Sequence, residues 1–291
     1  MPELPEVETI RAGLARLLPQ RKIEAVAVYD SPKSFPNGEE QTKQFLIGAD
    51  VLRVRRRAKV LLIDLDTNYT LVVHLKMTGQ LVFRGKTNFG AGHPTDSLIG
   101  RLPDRSTRVQ VDFIDGSHLF FNDQRKFGWI KLLPTQEVGY LSFFQKVGPE
   151  PLEETTTSEQ FIGRVRRHNN MMIKPAILDQ SVIAGVGNIY ADEALWAAKI
   201  HPETRVGHLS DEQLNTLFKE IRAVLLLGIE KGGSTDKNYI DAEGRRGNYL
   251  SFARVFRREG QPCPVHPDQE IVKLKVAGRG THICPVCQVV Q

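Results

Sequence analysis

The hydrophobic pattern of this 291-residue chain is mostly strand-like in its first half and helical in its second, and that change limits what the chain can fold into. Up to about residue 134, apolar residues come in short strand-like runs, some alternating. They read KIEAVAVYD, VLRVRRRAKVLLIDL, TLVVHLKM and QLVFRG, with DTN and TG as turns. After the Gly/Pro/Ser-rich stretch GAGHPTDSLIGRLPDRS, strands resume at RVQVDFI, HLFFND and WIKLLP. The segment 147–154, VGPEPLEE, reads as a linker, and beyond it the spacing turns helical. Ser210 and Gln213 form a capping box, Leu214, Leu217, Ile221 and Leu225 make an apolar stripe, and Gly232-Gly233 end the helix. One earlier helix is expected from Pro5 to about Leu18, with Val7, Ile10, Leu14 and Leu17 on one face. The organisation is a β-rich half, a linker, a helical half and a small cysteine-bearing tail.

No apolar run approaches the roughly 18 residues of a membrane span, and the first residues lack the apolar stretch of a signal peptide. Three cysteines, an odd number, argue against a secreted disulfide framework and for a reducing cytoplasm. A net charge of +5 favours a polyanionic partner.

The tail carries CPVH and then CPVC. Cys263 with His266, and Cys284 with Cys287, are two short-spaced pairs separated by a hairpin-length insert, the spacing of a tetrahedral zinc site. His282 is a competing ligand, disfavoured by its place inside the second hairpin strand. Arg279 lies between glycines at the expected hairpin turn, where a guanidinium fork suits phosphate; a solvated turn arginine is the plainer alternative.

In the helical half, AGVGNIYADE places two glycines before Asn188 at a helix start, where backbone N–H groups and the helix dipole favour an anion. Lys174, upstream, adds positive charge if it folds nearby. In the β-rich half, HLKMTG and DQRKFG put Met77, Arg125 and Phe127 on turns expected to be neighbouring hairpin tips, a wedge able to enter a base stack. Lys59 follows three arginines in a run that otherwise reads as a solvated basic strand. The chain starts MPELPEVE, and removal of Met1 exposes a secondary amine at Pro2 beside Glu3 and Glu6. An amine of this kind titrates near about 7.7–8.0 and can attack an electrophilic carbon to give an iminium.

MPELPEVE, RRAK, HLKMTG, RKFG, VGPEPL, LDQ, GVGNIYADE and GGST, ahead of the cysteine pairs, together resemble the formamidopyrimidine-DNA glycosylases, relatives of the endonuclease VIII group. The resemblance runs end to end. It implies an α+β fold of two domains: an N-terminal β-sandwich with flanking helices (1–134), a linker (135–154), a helix–two-turn–helix domain (155–253) and a β-hairpin zinc finger (254–291). It also implies a monomer acting on damaged double-stranded DNA with one structural zinc ion. The expected activity is excision of 8-oxoguanine and formamidopyrimidines, followed by β,δ-elimination. In that scheme Pro2 attacks C1′, Glu3 moves protons, Glu6 supports the site, and Lys59 and Arg279 assist elimination. Met77, Arg125 and Phe127 fill the gap left by the flipped base, and Lys174 and Asn188 hold phosphates. The rival readings are a non-catalytic damage sensor and an enzyme for oxidised pyrimidines. The start MPEL and the resemblance of Ser234–Tyr249 to the family's lesion-capping loop favour the formamidopyrimidine branch.

The chain departs from the family pattern at several places. His266 stands where the finger usually has a cysteine. Gln124 replaces a proline, which is expected to loosen the turn that aims Arg125. Arg105-Ser106 stands where the family has a Lys-His phosphate contact, and Lys76 adds a charge near the wedge.

Overall fold

The computed structural model of the chain describes residues 2–234 and 248–290. It divides into two compact units, Met1–Gln145 with Lys231–Asn248, and Lys146–Glu230 with Tyr249–Gln291. The lesion-capping resemblance falls largely outside the described residues.

The first unit begins with α1 (Leu4–Leu17), β1 (Ile23–Val28) and α2 (Glu39–Phe45). Eight strands follow: β2 (Val51–Arg57), β3 (Val60–Leu65), β4 (Tyr69–His74), β5 (Gly79–Arg84), β6 (Phe89–Gly92), β7 (Thr107–Phe113), β8 (His118–Asp123) and β9 (Trp129–Pro134). They form two antiparallel sheets, β1-β7-β8-β5-β6 and β2-β3-β4-β9. Leu61, Ile63, Leu71 and Val73 share one core with Leu81, Phe83, Val109 and Phe121 of the other sheet, and with Val7, Ile10 and Leu14 of α1. This is a β-sandwich closed by a helix. Strand β3 is buried at every position because Val60 and Leu62 pack on its other face beneath Val138 and Phe143. Burial on two faces explains why VLLIDL is a continuous apolar run rather than an alternating one.

The long run VLRVRRRAKVLLIDL folds as the hairpin β2–β3, turning at Ala58 with φ +52°. Helix α2 and strand β6 are absent from the sequence expectation. Strand β6 is the tetrapeptide FGAG, which has no alternation to read. It pairs with β5, and a side chain at Gly92 would meet the Gly79 carbonyl at 2.4 Å.

The connections β4→β5 and β8→β9 are not hairpins. Each carries the chain from one sheet to the other, because β4 pairs with β9 and β5 with β8. The same pairings bring the two arches side by side.

The second unit contains α4 (Ser158–Val165), α5 (Ile173–Leu178), α6 (Asn188–Ala197), α7 (Asp211–Glu230), α8 (Tyr249–Phe252) and the hairpin of β10 (Val272–Val276) and β11 (Arg279–Ile283); the short α3 (Ser142–Lys146) precedes it. The Ser210–Gln213 capping box forms at 2.8 and 3.1 Å, and Gly232 and Gly233 follow α7 with positive φ. The segment VGPEPLEE is packed rather than a loose linker. Gly148 N donates to Gln180 O at 2.7 Å, Ala184 N to Pro149 O at 3.0 Å, and Arg222 to Pro151 O at 2.6 Å. Among the described residues, no helix is long and apolar enough to cross a membrane.

Helix α1 seats on the sandwich through Gly13, where a Cβ would stand 2.3 Å from the ring of buried Phe89. The helix gains about 1 kcal/mol from alanine over glycine, but the overpacking costs about 1–3 kcal/mol. Gly13→Ala should therefore leave stability unchanged or lower, never higher, in chemical denaturation, and Gly13→Val should be clearly destabilised.

Candidate active site and metal centre

Pro2 is buried and leads into α1, where Glu3 is the N-cap. Glu3 and Glu6 form a capping box, with Glu3 N donating to Glu6 Oε2 at 2.8 Å. The other carboxylate oxygen, Glu6 Oε1, accepts from Ser234 N at 2.7 Å. One side chain thus caps the helix behind Pro2 and holds the strand of chain that leads into residues 235–247. Gly233 at φ +86° lies against Glu6, and a Cβ there would stand 3.1 Å from its carboxylate. Glu3 and Glu6 are 4% and 7% exposed, so two acids are held out of water beside the N-terminal proline.

Lys59 is buried at the β2–β3 turn. Arg56 latches that turn to α1: its Nε donates to Glu8 at 3.0 Å and its Nη1 to Ala58 O at 2.8 Å. Arg53 and Arg55 both bind Asp64. Within the run RVRRRAK, which reads from the sequence as a solvated basic strand, Arg53, Arg55 and Arg56 are held in directed ion pairs with Asp64 and Glu8.

His74 lies opposite Val60 in the β3–β4 ladder, next to Lys59 in sequence, and was not among the expected site residues. Its Nδ1 accepts from Lys76 N at 3.1 Å, which leaves the proton on Nε2. Burial, and then the charges of Lys76 and Lys59, push its pKa down to about 3. It is a neutral donor between two ammonium groups. The histidine stood in plain view in HLKMTG, but nothing in the motif signals its tautomer.

The two inter-sheet arches carry Met77, Arg125 and Phe127, the residues expected to form a wedge. Met77 and Phe127 are 41% and 56% exposed, and the Arg125 guanidinium lies 4.9 Å from the Phe127 ring centre. Gln124 is exposed and does not close the turn; Asp123 does, by accepting from Phe127 N at 2.8 Å and Gly128 N at 2.6 Å. The turn in which Gln124 stands for a proline is thus tied to Asp123 by two backbone hydrogen bonds.

In the second unit Arg279 opens β11 and is exposed, just past a tight turn with positive φ at Ala277 and Gly278. Asn188 begins α6 after Gly187, which supplies no capping side chain, and Asn188 Nδ2 donates to Gly280 O at 2.9 Å. Lys174 does not fit a direct phosphate grip. It is fully buried, and its ammonium donates to Asp192 at 2.6 Å, Thr281 Oγ1 at 2.7 Å and Gly280 O at 3.3 Å. It holds the residue next to Arg279 instead. Asp192 also accepts from His282 N at 2.9 Å and lies 3.1 Å from His282 Nδ1, which commits that histidine elsewhere than a metal. Glu193 accepts from the backbone N–H groups of Arg254, Val255 and Phe256 at 2.8–2.9 Å.

Cys263, His266, Cys284 and Cys287 bring their ligand atoms within 4.8 Å of one another. Cys263 and Cys287 sulfurs are 3.7 Å apart, and His266 Nδ1 is 3.1 Å from Cys287 Sγ. Zinc–sulfur bonds of about 2.3 Å in a tetrahedron place sulfurs about 3.8 Å apart, so the donor set fits zinc. Burial, then its sulfur neighbours, push Cys287 up to about 12. Cys263 falls to about 6: burial opposes this, but N–H groups of Val265 and His266 favour its thiolate. A dication at the centre would let all three sulfurs ionise together.

The chain matches the model of the formamidopyrimidine-DNA glycosylase N-terminal domain over residues 1–130 and that of the formamidopyrimidine-DNA glycosylase H2TH domain over 147–239. It is 44% identical over 292 residues to the formamidopyrimidine-DNA glycosylase of Pelotomaculum thermopropionicum and 40% identical to that of Pediococcus pentosaceus, covering all of each. This chain belongs to the formamidopyrimidine-DNA glycosylase family. A Lactococcus lactis glycosylase variant solved with Fapy-dG DNA superposes with a TM-score of 0.86 at 34% identity, covering 99% of this chain and 100% of that one. The Lactococcus lactis glycosylase solved with abasic-site DNA gives 0.86 at 33% identity, with 99% of each covered. The β-sandwich, the helical H2TH unit and the finger-like hairpin agree with the glycosylase fold expected from the sequence, and the Cys/His cluster is compatible with a zinc finger.

In this glycosylase the neutral His74 has a titration consequence. Its folded pKa of about 3 lies below the ordinary 6.5, so the unfolded chain binds the extra proton between those values. Stability should be intact above about pH 6.5 and fall as pH drops towards 3. The difference in denaturation free energy between wild type and His74→Gln should shrink across that window. For the metal centre, a zinc chelator should lower the wild-type melting temperature and leave a Cys284→Ser variant, already lowered, nearly unchanged.

Proposed function

We propose that this chain removes oxidised purines, 8-oxoguanine and formamidopyrimidines, from duplex DNA as a monomer and then cuts the abasic strand. The observation that carries the reading is the pair of buried carboxylates fixed at the start of α1, immediately behind Pro2. Lactococcus lactis relatives in complex with Fapy-dG and abasic-site DNA support the substrate class.

With Met1 removed, the Pro2 nitrogen attacks C1′ of the damaged nucleotide. A C–N bond forms, the glycosidic bond breaks, and the base departs with a proton. Glu3 donates a proton to the ring oxygen, the sugar opens, and a cationic Schiff base remains. Loss of a C2′ proton then expels the 3′ phosphate, and a second elimination expels the 5′ phosphate. Water releases Pro2 from the sugar fragment. Glu6 keeps the amine in place through the helix cap, and Lys59, with the His74 N–H, faces phosphate. Arg279 serves the elimination from the finger, held by Lys174 and Asn188 through Gly280. Met77, Arg125 and Phe127 occupy the space left by the flipped nucleotide.

One zinc ion per chain, held by Cys263, His266, Cys284 and Cys287, plays a structural part. It joins the two knuckles beneath the hairpin that presents Arg279.

Borohydride reduction on a duplex carrying 8-oxoguanine opposite cytosine should trap a covalent protein–DNA adduct. The adduct should be absent with Pro2→Gly, and intact mass should show a chain lacking Met1. Normal DNA binding with no adduct from a chain that has lost Met1 would reject the mechanism.

A further inference from the structure

Every wedge residue hangs on one carboxylate. Asp123 is fully buried at the end of β8. Its Oδ1 accepts from the Thr78 hydroxyl and from Arg125 N at 3.1 Å, and its Oδ2 from Phe127 N at 2.8 Å and Gly128 N at 2.6 Å. Thr78 follows Met77 on the other arch, and its Oγ1 also accepts from Arg125 N at 3.1 Å. The backbone of Asp123 is fixed as well. Its N–H donates to Ser106 O at 2.8 Å, and its carbonyl accepts from the buried Arg108 Nε at 2.8 Å. Gly128 has no room for a side chain: a Cβ would lie 2.6 Å from the Phe121 ring and 3.1 Å from Asp123 Oδ2.

We infer that Asp123 is the positioning residue of the wedge, tying the Met77 arch to the Arg125–Phe127 arch so that all three side chains present themselves together. The inference rests on the reading of these side chains as the group that replaces a flipped nucleotide. A carboxylate suits this task because it only accepts, and its two oxygens satisfy four donors at once. An amide of the same shape would turn an NH₂ towards N–H groups and free half of the set. Unstacking a base costs a few kcal/mol, and a wedge that must first be ordered spends part of its contact energy on its own conformational entropy. Fixing the arches beforehand removes that cost without touching the reacting atoms.

The test uses Asp123→Asn and the milder Thr78→Val, which removes the hydroxyl bridge and leaves the backbone bonds to Asp123 in place. Single-turnover excision of 8-oxoguanine from a duplex should slow by roughly tenfold in Asp123→Asn and about threefold in Thr78→Val, in line with the cost of a slightly misplaced group. Cleavage at a preformed abasic site, where no base has to be expelled, should change by less than about twofold in Thr78→Val. The fluorescence rise of a 2-aminopurine placed beside the lesion, which reports unstacking, should slow in parallel with excision. Equal losses on both substrates with an unchanged 2-aminopurine rise would overturn the inference, and so would full excision activity in both variants. Failure of the wild-type protein to excise 8-oxoguanine would instead overturn the substrate reading beneath it.

Discussion

Taking a carboxylate out of water costs several kcal/mol, and the loss is recovered only where donors converge on it. This protein makes that trade repeatedly, each time where a chemically important loop has to be held. Glu6 is satisfied by the backbone of Glu3 and Ser234, and so fixes the helix start behind Pro2. Asp123 is satisfied by both arches of the sandwich. Asp192 takes Lys174 and the backbone of His282. Glu193 takes three consecutive N–H groups at residues 254–256, and burial still raises its pKa despite them. In all four cases backbone N–H groups supply donors. The acids therefore fix where the chain runs rather than which side chain they meet, and the loops they hold keep their exposed side chains available for a partner.

The same logic separates what the sequence makes legible from what it hides. Period and caps place α1, α7 and most strands correctly, because each depends on neighbours in sequence. The pairing of β4 with β9 and β5 with β8 depends on residues far apart, so the turns bearing Met77 and Phe127 read as hairpins when they are arches. Met77 and Phe127 are exposed on these turns in either case, since a turn position read from local sequence needs no knowledge of the sheet. Asp123 and Glu193 were inside quoted motifs as well. Their importance comes from which amides fold back onto them, and no spacing rule expresses that. Lys174 is the converse case: a lysine near an anion site invites a direct contact, and only its buried partner Asp192 shows that the charge is already committed.

Charge in the first unit is organised by the same means. Arg53, Arg55 and Arg56 are matched to Asp64 and Glu8, which removes much of the basic run from any non-specific attraction to phosphate. Close to the β2–β3 turn the neutral His74 feels the charges of Lys76 and Lys59. A neutral imidazole there avoids a third positive charge among the ammonium groups, yet still offers one N–H. A protonated one would raise the repulsion within the cluster before DNA arrives. Burial and the two lysines thus keep the histidine in the form that can donate without adding to the field.

The substitution of His266 for a thiolate has a similar electrostatic reading. A centre of four thiolates and one dication carries two net negative charges, whereas three thiolates and an imidazole carry one. Arg279 is exposed on the hairpin beside this cluster, so with a metal bound the less negative ligand set would oppose the approach of a polyanion less. The histidine turns its Nδ1 towards Cys287 Sγ, 3.1 Å away, while the finger core closes around Trp196, Val255, Cys263, Ile271 and Cys284. Helix α6 contributes Trp196 to that core, Asp192 to the hairpin's inner strand and Glu193 to the chain entering the finger, all within two turns of Asn188. One helix therefore sets Asn188 and the arginine-bearing hairpin in a common frame, with Asn188 Nδ2 donating to Gly280 O.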